Sequence, residues 1–547
     1  MSSVPARLRR CAPRSKPFKS ASAEDPMTIH LPVRGRLGLA FAAACIASLS
    51  LSDTTFAQTP AAQTAAPSTT AVPAPPAPPP PVLLSREALA GAIGVREQAL
   101  KSDESYQLLE SLTTEVGQRF AGTAGDKAGV EWAVKTLRDL GFTNVHTQEV
   151  IVPRWIRGEA SFDVLAPYPM SMVTTAIGGS IGTPDEGLDA PIVMVQDIAA
   201  LQALPEGTAR GKIVFFNGRM ERTRDGSGYG KAVRARTEGP SIAGSLGAVG
   251  VVIRSVGTSK NRIAHTGTLS YNVSSPRIPA VSISNPDADL LERQVAQTRP
   301  EGKAAGQAVK VRMRVTARDL PQVRSANVIG DLPGTDLANE IVLIGGHLDS
   351  WDTGHGVQDD GAGVAIAIAA ARLAASANPK PRRTIRVVLF ANEEFGLSGA
   401  GRYPVAIGDE GVANHAFAME ADLGDGPVWK LSARVPQQYW PTIEQVHRVV
   451  RSLEVELGDN TSNGGADLGP LRRLGVPILS PQLDATTYFD IHHTVNDTLD
   501  QVDPAHLRQS TTVFAVTAYA VAIVDGPVPR YEEPQAAPTT PRAPPER

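Results

Sequence analysis

Histidine and carboxylate side chains, the groups that bind metals and move protons, follow four apolar, strand-like runs in the second half of the chain. In chain order they are EIVLIG (340–345) with His347 and Asp359, TIRVVLF (384–390) with Glu393 and Glu394, HAFAME (415–420) with Asp422, and PILS (477–480) with His492 and His493. Because the carboxyl ends of parallel strands meet at one edge of a sheet, these distant side chains can converge there. The alternative is a coincidence of polar loops.

The donor atoms of this set are nitrogen and oxygen, which suit Zn²⁺, with Mn²⁺ or Co²⁺ as alternatives. Two imidazoles and at least three carboxylates exceed the ligands of one catalytic metal and fit a pair about 3.5–4 Å apart, bridged by one carboxylate. Such a pair lowers the pKa of a bound water from about 16 to about 7. Of adjacent Glu393 and Glu394, one can bind metal while the other serves as the base, since neighbouring side chains in an extended chain point opposite ways.

Strands and helices alternate from residue 325 onwards, with predicted helices at 361–375 and 442–455. This pattern predicts an α/β fold, a mainly parallel sheet flanked by helices on both faces. Between 158 and 322 the texture changes to short β-rich runs separated by Gly, Pro and Ser clusters, which predicts a separate, mostly β domain inserted into the main one. The predicted segments are therefore a signal peptide region (1–57), a Pro/Ala-rich linker (58–83), the main domain in two parts (84–157 and 323–525), the inserted domain (158–322) and a disordered Pro-rich tail (526–547).

The amino-terminal region has the features of an export signal. Met27 opens a segment with basic Arg34 and Arg36, an apolar stretch over 37–51 and a small-residue cleavage site ending at Ala57. The apolar stretch is shorter than the ~20 residues of a membrane span. We therefore expect a secreted or periplasmic protein without a transmembrane span, although a lipoprotein attached through Cys45 is the weaker alternative.

Composition excludes other classes of protein and site. The formal net charge of -3 gives no indication of nucleic-acid binding. Cys11 and Cys45 are the only cysteines and both lie in the predicted signal region, so the mature chain would have no disulfide and no thiolate ligand. Any metal would have to be bound by His, Asp and Glu.

The sequence motifs HLDSWDTGHGVQDDGAG, NEEFGLSGA, MEADLG and YFDIHHTVNDTLD resemble the di-zinc exopeptidase (aminopeptidase) family, and within it the carboxypeptidase Q, or plasma glutamate carboxypeptidase, branch. The resemblance also covers RFAGTAGDKAGVEWAVKTLRDLGF, VPRWIRGEA and GGADLGPLRRLGVP, and spans nearly all of 95–505. It implies two Zn²⁺ per chain, a peptide substrate, a protease-associated-like inserted domain and a possible homodimer.

The resemblance also implies a role for each site residue. Asp359 would bridge the two metals, and Glu393 would be the general base. Asp349 falls where the family has a carboxylate that orients the first histidine. The peptide bond between Asp359 and Asp360 falls where the family often has a cis bond. The implied metal ligands are His347, Asp359, Glu394, Asp422 and His493.

Other polar residues near these motifs favour structural roles. His492 is expected to be a packing neighbour rather than a ligand, and His355 a solvated loop residue. Tyr488 could donate to a developing oxyanion or simply pack. The glycine-rich stretch 462–470 could line a substrate pocket or form an ordinary turn.

The sequence thus predicts an exported, zinc-dependent exopeptidase that hydrolyses dipeptides or short peptides. Two other functions on the same scaffold remain as alternatives: a single-zinc glutaminyl cyclase-like enzyme, and a catalytically inactive, receptor-like binding protein. Metal stoichiometry and peptidase activity separate the three.

Overall fold

The computed structural model describes residues 79–532. The predicted signal peptide, the cleavage site, most of the predicted linker and the end of the tail lie outside the described residues. The helices are α1 (Arg86–Ala99), α2 (Glu104–Glu115), α3 (Ala124–Asp139), α4 (Ile198–Gln202), α5 (Ser227–Ala232), α6 (Arg234–Thr237), α7 (Gly239–Ser245), α8 (Asn285–Gln297), α9 (Ala362–Ala375), α10 (Ser398–Ala413), α11 (Trp440–Val450), α12 (Gly469–Arg473) and α13 (Pro504–Ile523).

The strands form two large sheets. They are β1 (Thr143–Ile156), β2 (Ala160–Ala166), β3 (Met170–Met172), β4 (Thr174–Ala176), β5 (Leu188–Val195), β6 (Ile213–Phe216), β7 (Gly250–Arg254), β8 (Ala280–Ile283), β9 (Lys310–Val315), β10 (Arg318–Leu332), β11 (Leu337–His347), β12 (Arg383–Phe390), β13 (His415–Glu420), β14 (Val428–Arg434), β15 (Glu456–Leu457) and β16 (Ile478–Leu483).

The main sheet has the order β1-β10-β12-β11-β13-β16-β14-β15. Its four central strands, β12, β11, β13 and β16, run parallel and correspond to the four predicted runs. On the two flanks, β10 and β14 join this centre antiparallel. The predicted α/β fold is confirmed, and the four parallel strands end at the same edge of the sheet, here called the carboxyl edge.

Alternation along the central strands builds a core on each face of the main sheet. On one face, Val342 and Ile344 of β11 pack in the cluster that contains α1, α9 and α13. On the other face, Ile341 and Leu343 pack with residues of α10 and α12. With helices on both faces the strands are fully buried, which fixes the position of their ends.

The second sheet has the order β3-β2-β9-β5-β6-β7-β8-β4 and draws its strands from residues 160–315. We call these residues the inserted unit. Its strands β5 to β8 are parallel, and helices α4 to α8 accompany them. The sequence pattern predicts a mostly β segment here, because α4 to α7 are too short for a helical period to appear in the sequence.

A pair of long antiparallel strands joins the inserted unit to the main sheet. β1 leads into the unit and β10 leads out of it, and they pair from Thr143 opposite Asp331 to Ile156 opposite Arg318. The predicted boundary at 322 lies inside β10. Within residues 79–532, every helix is too short or too polar to span a bilayer.

Candidate metal centre

One side of the centre is formed by the end of β11 and the loops that follow. His347 is the last residue of β11 and is buried. Its Nε2 lies 3.2 Å from Asp359 Oδ1 and 3.6 Å from Asp422 Oδ1. Asp359 belongs to the loop before α9, and Asp422 follows β13, so three separate segments of chain meet here.

The other side of the centre is formed by the segments after β12 and β16. His493 Nε2 lies 2.9 Å from Glu394 Oε2 and 3.1 Å from Asp359 Oδ2. Asp359 therefore directs one carboxylate oxygen at His347 and the other at His493. The five residues predicted as metal ligands lie together at the carboxyl edge, in two groups that share Asp359.

The donor atoms fit a divalent cation. Asp359 Oδ2 and Glu394 Oε1 are buried and make no hydrogen bond. Buried polar atoms are almost always partnered, so these two carboxylate oxygens indicate a partner of positive charge. His347, Asp359 and Glu394 offer ligand atoms within 4.8 Å of one another, all nitrogen or oxygen. That set suits Zn²⁺.

Burial sets the electrostatics of the carboxyl edge. It raises the pKa of Glu393 to about 8, that of Glu420 to about 7 and that of Glu394 well above its usual range. Repulsion between neighbouring carboxylates adds to these shifts. Burial also acts to raise the pKa of Asp359, but the imidazoles of His347 and His493, 3.2 and 3.1 Å from its two oxygens, hold it well below its usual range. A bound cation would stabilise the ionised carboxylates.

Asp349 supports the adjacent glutamates more directly than it supports His347. Its Oδ1 accepts a hydrogen bond from Glu393 N at 2.9 Å, and its Oδ2 accepts one from Glu394 N at 3.3 Å. The same Oδ1 is 3.7 Å from His347 Nδ1, which lies closer, at 3.1 Å, to the backbone oxygen of Asp349. The carboxylate thus fixes the backbone of the segment that carries the predicted base.

Two further aspartates shape the loop that carries Asp359. Asp360 Oδ2 accepts from His347 N, and its Oδ1 accepts from Gly363 N at the start of α9. Asp497 accepts from the backbone N–H groups of Val357, Gln358 and Asp359. Neither carboxylate has a role predicted from the sequence. Asp360 and Asp497 both lie inside recognised motifs, which was the available signal.

Arg119 is buried and lies beneath the same loop. Its guanidinium donates to four backbone carbonyls: those of Gly117, Leu348, His355 and Gly356. Burial lowers the pKa of Arg119, while the charges of Asp497 and Asp349 act to raise it. Arg119 has no role predicted from the sequence, although it is the first residue of the RFAGTAGDK stretch covered by the family resemblance.

The remaining candidates occupy different positions. His492 is buried, with its ring stacked on His493 at 3.5 Å and its Nε2 3.4 Å from Asp359 Oδ2, and His355 is exposed. Tyr488 is buried against His492. A cavity of about 450 Å³ adjoins Asp422 and is lined in part by residues 461–466, which include most of the glycine-rich stretch. The peptide bond between Asp359 and Asp360 is cis.

Comparison with known proteins places this geometry in a family. Residues 327–518 match the model of Peptidase family M28. Carboxypeptidase Q from Mus musculus is 32% identical over 429 residues, which cover 78% of this chain and 87% of that protein. The chain belongs to peptidase family M28. It is a metallopeptidase, and the predicted family is confirmed.

Solved M28 structures share the fold. The peptidase M28 precursor from Shewanella amazonensis is 41% identical, with a TM-score of 0.78 over 82% of this chain and 99% of that one. BSAP, a zinc aminopeptidase from Bacillus subtilis, is 19% identical with a TM-score of 0.53, covering 78% of this chain and 98% of that one, and supports the fold alone.

Proposed function

We propose that this M28 metallopeptidase is an exopeptidase that holds two Zn²⁺ ions and hydrolyses dipeptides or short peptides. The observation that carries the proposal is the position of Asp359, whose two oxygens face His347 and His493. A shared carboxylate between two imidazole-containing groups is the arrangement that a two-metal site requires. His347 and Asp422 would hold one ion, and Glu394 and His493 would hold the other. Asp359 would contact both ions.

The residues around this pair divide the chemical work. When bound, paired zinc ions supply a nucleophilic water of lowered pKa and polarise the scissile carbonyl. Glu393 accepts the proton of the attacking water and returns it to the leaving amine. Asp349 holds the backbone of Glu393 through the hydrogen bond to its N–H, so the base keeps its position as the proton moves. Tyr488 stays protonated, because burial raises its pKa well above the usual value.

The size and the charge of the cavity beside Asp422 favour a short substrate that carries a positively charged group. Its volume of about 450 Å³ suits a few residues rather than a protein chain. Among the described residues, no lysine or arginine lines it, whereas four carboxylate residues do: Asp225, Glu420, Asp422 and Asp459. Hydrogen bonds from Thr461 lower the pKa of Asp459, which keeps it ionised. We propose that a free α-amino group of the substrate binds at this acidic end.

Export and assembly belong to the proposal as well. The segment from Met27 to Ala57 is proposed to be removed on secretion, so the mature protein would begin just after Ala57. Amino-terminal sequencing of protein recovered outside the cytoplasm tests this. The homodimer implied by the family resemblance is tested by sedimentation of the purified chain.

Substitution of the base tests the mechanism. Glu393→Gln keeps the shape of the side chain but cannot accept a proton, so kcat on a free dipeptide should fall by about 10²- to 10⁴-fold. Zinc content should remain at two per chain. Glu410→Gln, on the exposed surface of α10, is the matched control and should leave kcat unchanged. Wild-type activity in Glu393→Gln would refute the assignment of the base.

Metal analysis tests the proposed number of zinc ions, and a panel of substrates tests the proposed binding of a free α-amino group. Two zinc ions per chain agree with the proposal, whereas one per chain favours the glutaminyl cyclase alternative. Free dipeptides and aminoacyl-anilides should be cleaved, and peptides with a blocked amino terminus should resist. Cleavage of blocked peptides at the same rate would overturn the binding of a free α-amino group.

A further inference from the structure

The segment that carries His493 is held by the inserted unit. Three backbone carbonyls of this segment accept hydrogen bonds from residues of the unit. Phe489 O accepts from Thr258 N at 2.9 Å, His492 O accepts from His265 Nδ1 at 2.7 Å, and His493 O accepts from Thr266 N at 2.9 Å. The main domain supplies the side chains of the centre, but the inserted unit supplies these partners for the backbone.

His493 itself has a backbone conformation that needs such support. Its φ is +62°, in the left-handed region that a non-glycine residue adopts at a cost of about 1–2 kcal/mol. A residue stays there only when its surroundings determine the conformation. The carbonyls of His492 and His493 lie on either side of the His493 N–Cα bond, the bond about which φ is positive. The hydrogen bonds that both carbonyls accept hold His493 in this conformation.

His265 is fixed in one protonation state and one orientation. A carbonyl oxygen only accepts, so Nδ1 of His265 must carry the proton that it donates to His492. The side chain is buried, and burial lowers its pKa to about 4, so the ring is neutral near pH 7. The ring also packs directly over Gly257, where an added Cβ would lie 2.3 Å from His265 Cε1. Within residues 79–532, His492 O is the hydrogen-bond partner of the ring, and Nε2 has none.

We propose that His265 is a positioning residue: through the carbonyl of His492 it sets the conformation of His493 and hence the affinity of the metal site formed by Asp359, Glu394 and His493. This inference rests on the proposed function, because it requires that His493 bind metal. It gives the inserted unit a role in the metal centre. Residues that orient metal ligands affect affinity by about 10- to 100-fold when they are replaced.

Two substitutions separate the hydrogen bond from the volume of the ring. His265→Phe keeps a ring in the cavity but has no donor. His265→Asn is smaller but places an amide donor near the position of Nδ1. Metal-free full-length protein is titrated with Zn²⁺ against a chromophoric chelator. His265→Phe should weaken the binding of one of the two ions by at least about 10-fold, and His265→Asn should restore most of that loss.

His415 provides the matched control. It is also buried, its Nδ1 donates to a backbone carbonyl (Gly411) at 2.8 Å, and burial lowers its pKa to about 4, but it lies at the amino end of β13, away from the centre. His415→Phe should lower the melting temperature without changing either zinc affinity. Loading the same variants with Co²⁺ in place of Zn²⁺ gives a second readout, because the d–d absorption of bound Co²⁺ reports the geometry of its ligands.

The outcomes separate this inference from the proposed function. If wild-type protein binds fewer than two ions, the two-metal proposal fails. If wild-type protein binds two ions and His265→Phe binds both as tightly, His265 is not a positioning residue, although the proposed function stands. Equal loss of zinc affinity in His415→Phe would also overturn the inference, because the effect would then come from general destabilisation.

Discussion

At the scale of single residues, the centre depends on how one carboxylate is shared. Asp359 reaches His347 with one oxygen and His493 with the other. The types and positions of these residues could be predicted, because the ends of parallel strands converge. The partners of Asp349 could not, because the sequence does not say whether a carboxylate faces an imidazole or two backbone N–H groups.

The raised pKa values of the buried glutamates predict how pH acts on metal-free protein. Between pH 6.5 and 8, Glu393 (pKa about 8) and Glu420 (pKa about 7) keep protons in the folded state that the unfolded state has already lost. The folded state therefore binds more protons, and its stability falls as pH rises through this window. The buried side chains of His265 and His415 have pKa values lowered to about 4 and titrate below this window, so they do not oppose the trend. Burial acts to lower the pKa of His347, but the neighbouring carboxylates raise it well above its usual value, so His347 acts in the same direction as the glutamates.

Thermal unfolding in chelator and in excess Zn²⁺ measures this effect. In chelator, the melting temperature should fall from pH 6.5 to 8; in zinc it should fall less, because cations favour the ionised carboxylates. The stabilisation by zinc should therefore increase with pH. A gap between the two melting temperatures that stays constant over this range would contradict the prediction.

At the scale of elements, the loop between β11 and α9 is held from below by Arg119. This loop carries Asp349 and Asp359. Four backbone carbonyls in and around it accept hydrogen bonds from the guanidinium of Arg119. The strands could be predicted from their apolar runs, but the loop's support could not, since Arg119 lies more than 200 residues earlier in the chain. Helix α13 also lacked a clear periodic signal, because it is buried on nearly every side.

Arg119→Met is predicted to destabilise the protein strongly. It keeps much of the side-chain volume but leaves several buried carbonyls without a donor, each at a cost of about 1–3 kcal/mol. We expect the free energy of unfolding to fall by at least about 3 kcal/mol in chemical denaturation. Arg324→Met, which removes an exposed ion pair with Glu149, should cost less than about 1 kcal/mol. Equal effects would show that the hydrogen bonds of Arg119 are dispensable.

At the scale of the whole molecule, a charged pair lies where the main domain meets the inserted unit. Arg157, just after β1, forms a two-pronged ion pair with Asp352 and also donates to the carbonyl of Ala176 and the hydroxyl of Thr266. Its guanidinium lies over Trp351, 5.4 Å from the ring centroid. The short β-rich runs that begin near residue 158 predicted a second unit. They gave no indication of which side chains of the two units contact each other.

Asp352→Asn should weaken this junction. The side chains of Arg157 and Asp352 are 13% and 27% exposed, so loss of the charge should cost about 1–3 kcal/mol of unfolding free energy. The exposed pair between Arg277 and Asp319 offers a control, and Asp319→Asn should cost less than about 1 kcal/mol. Denaturant titration of both variants measures these losses of unfolding free energy. A smaller loss for Asp352→Asn than for Asp319→Asn would contradict the prediction.

The antiparallel ribbon of β1 and β10 has a consequence for the ancestry of the chain. Because Ile156 lies opposite Arg318, a tight turn could close the ribbon there, and residues 157–317 could be gained or lost as a block without moving the main sheet. A shortened enzyme of that kind would retain the side chains of the proposed zinc centre but lose the donors to the carbonyls of Phe489, His492 and His493. Lineages that lack the block would have to brace this segment by other means.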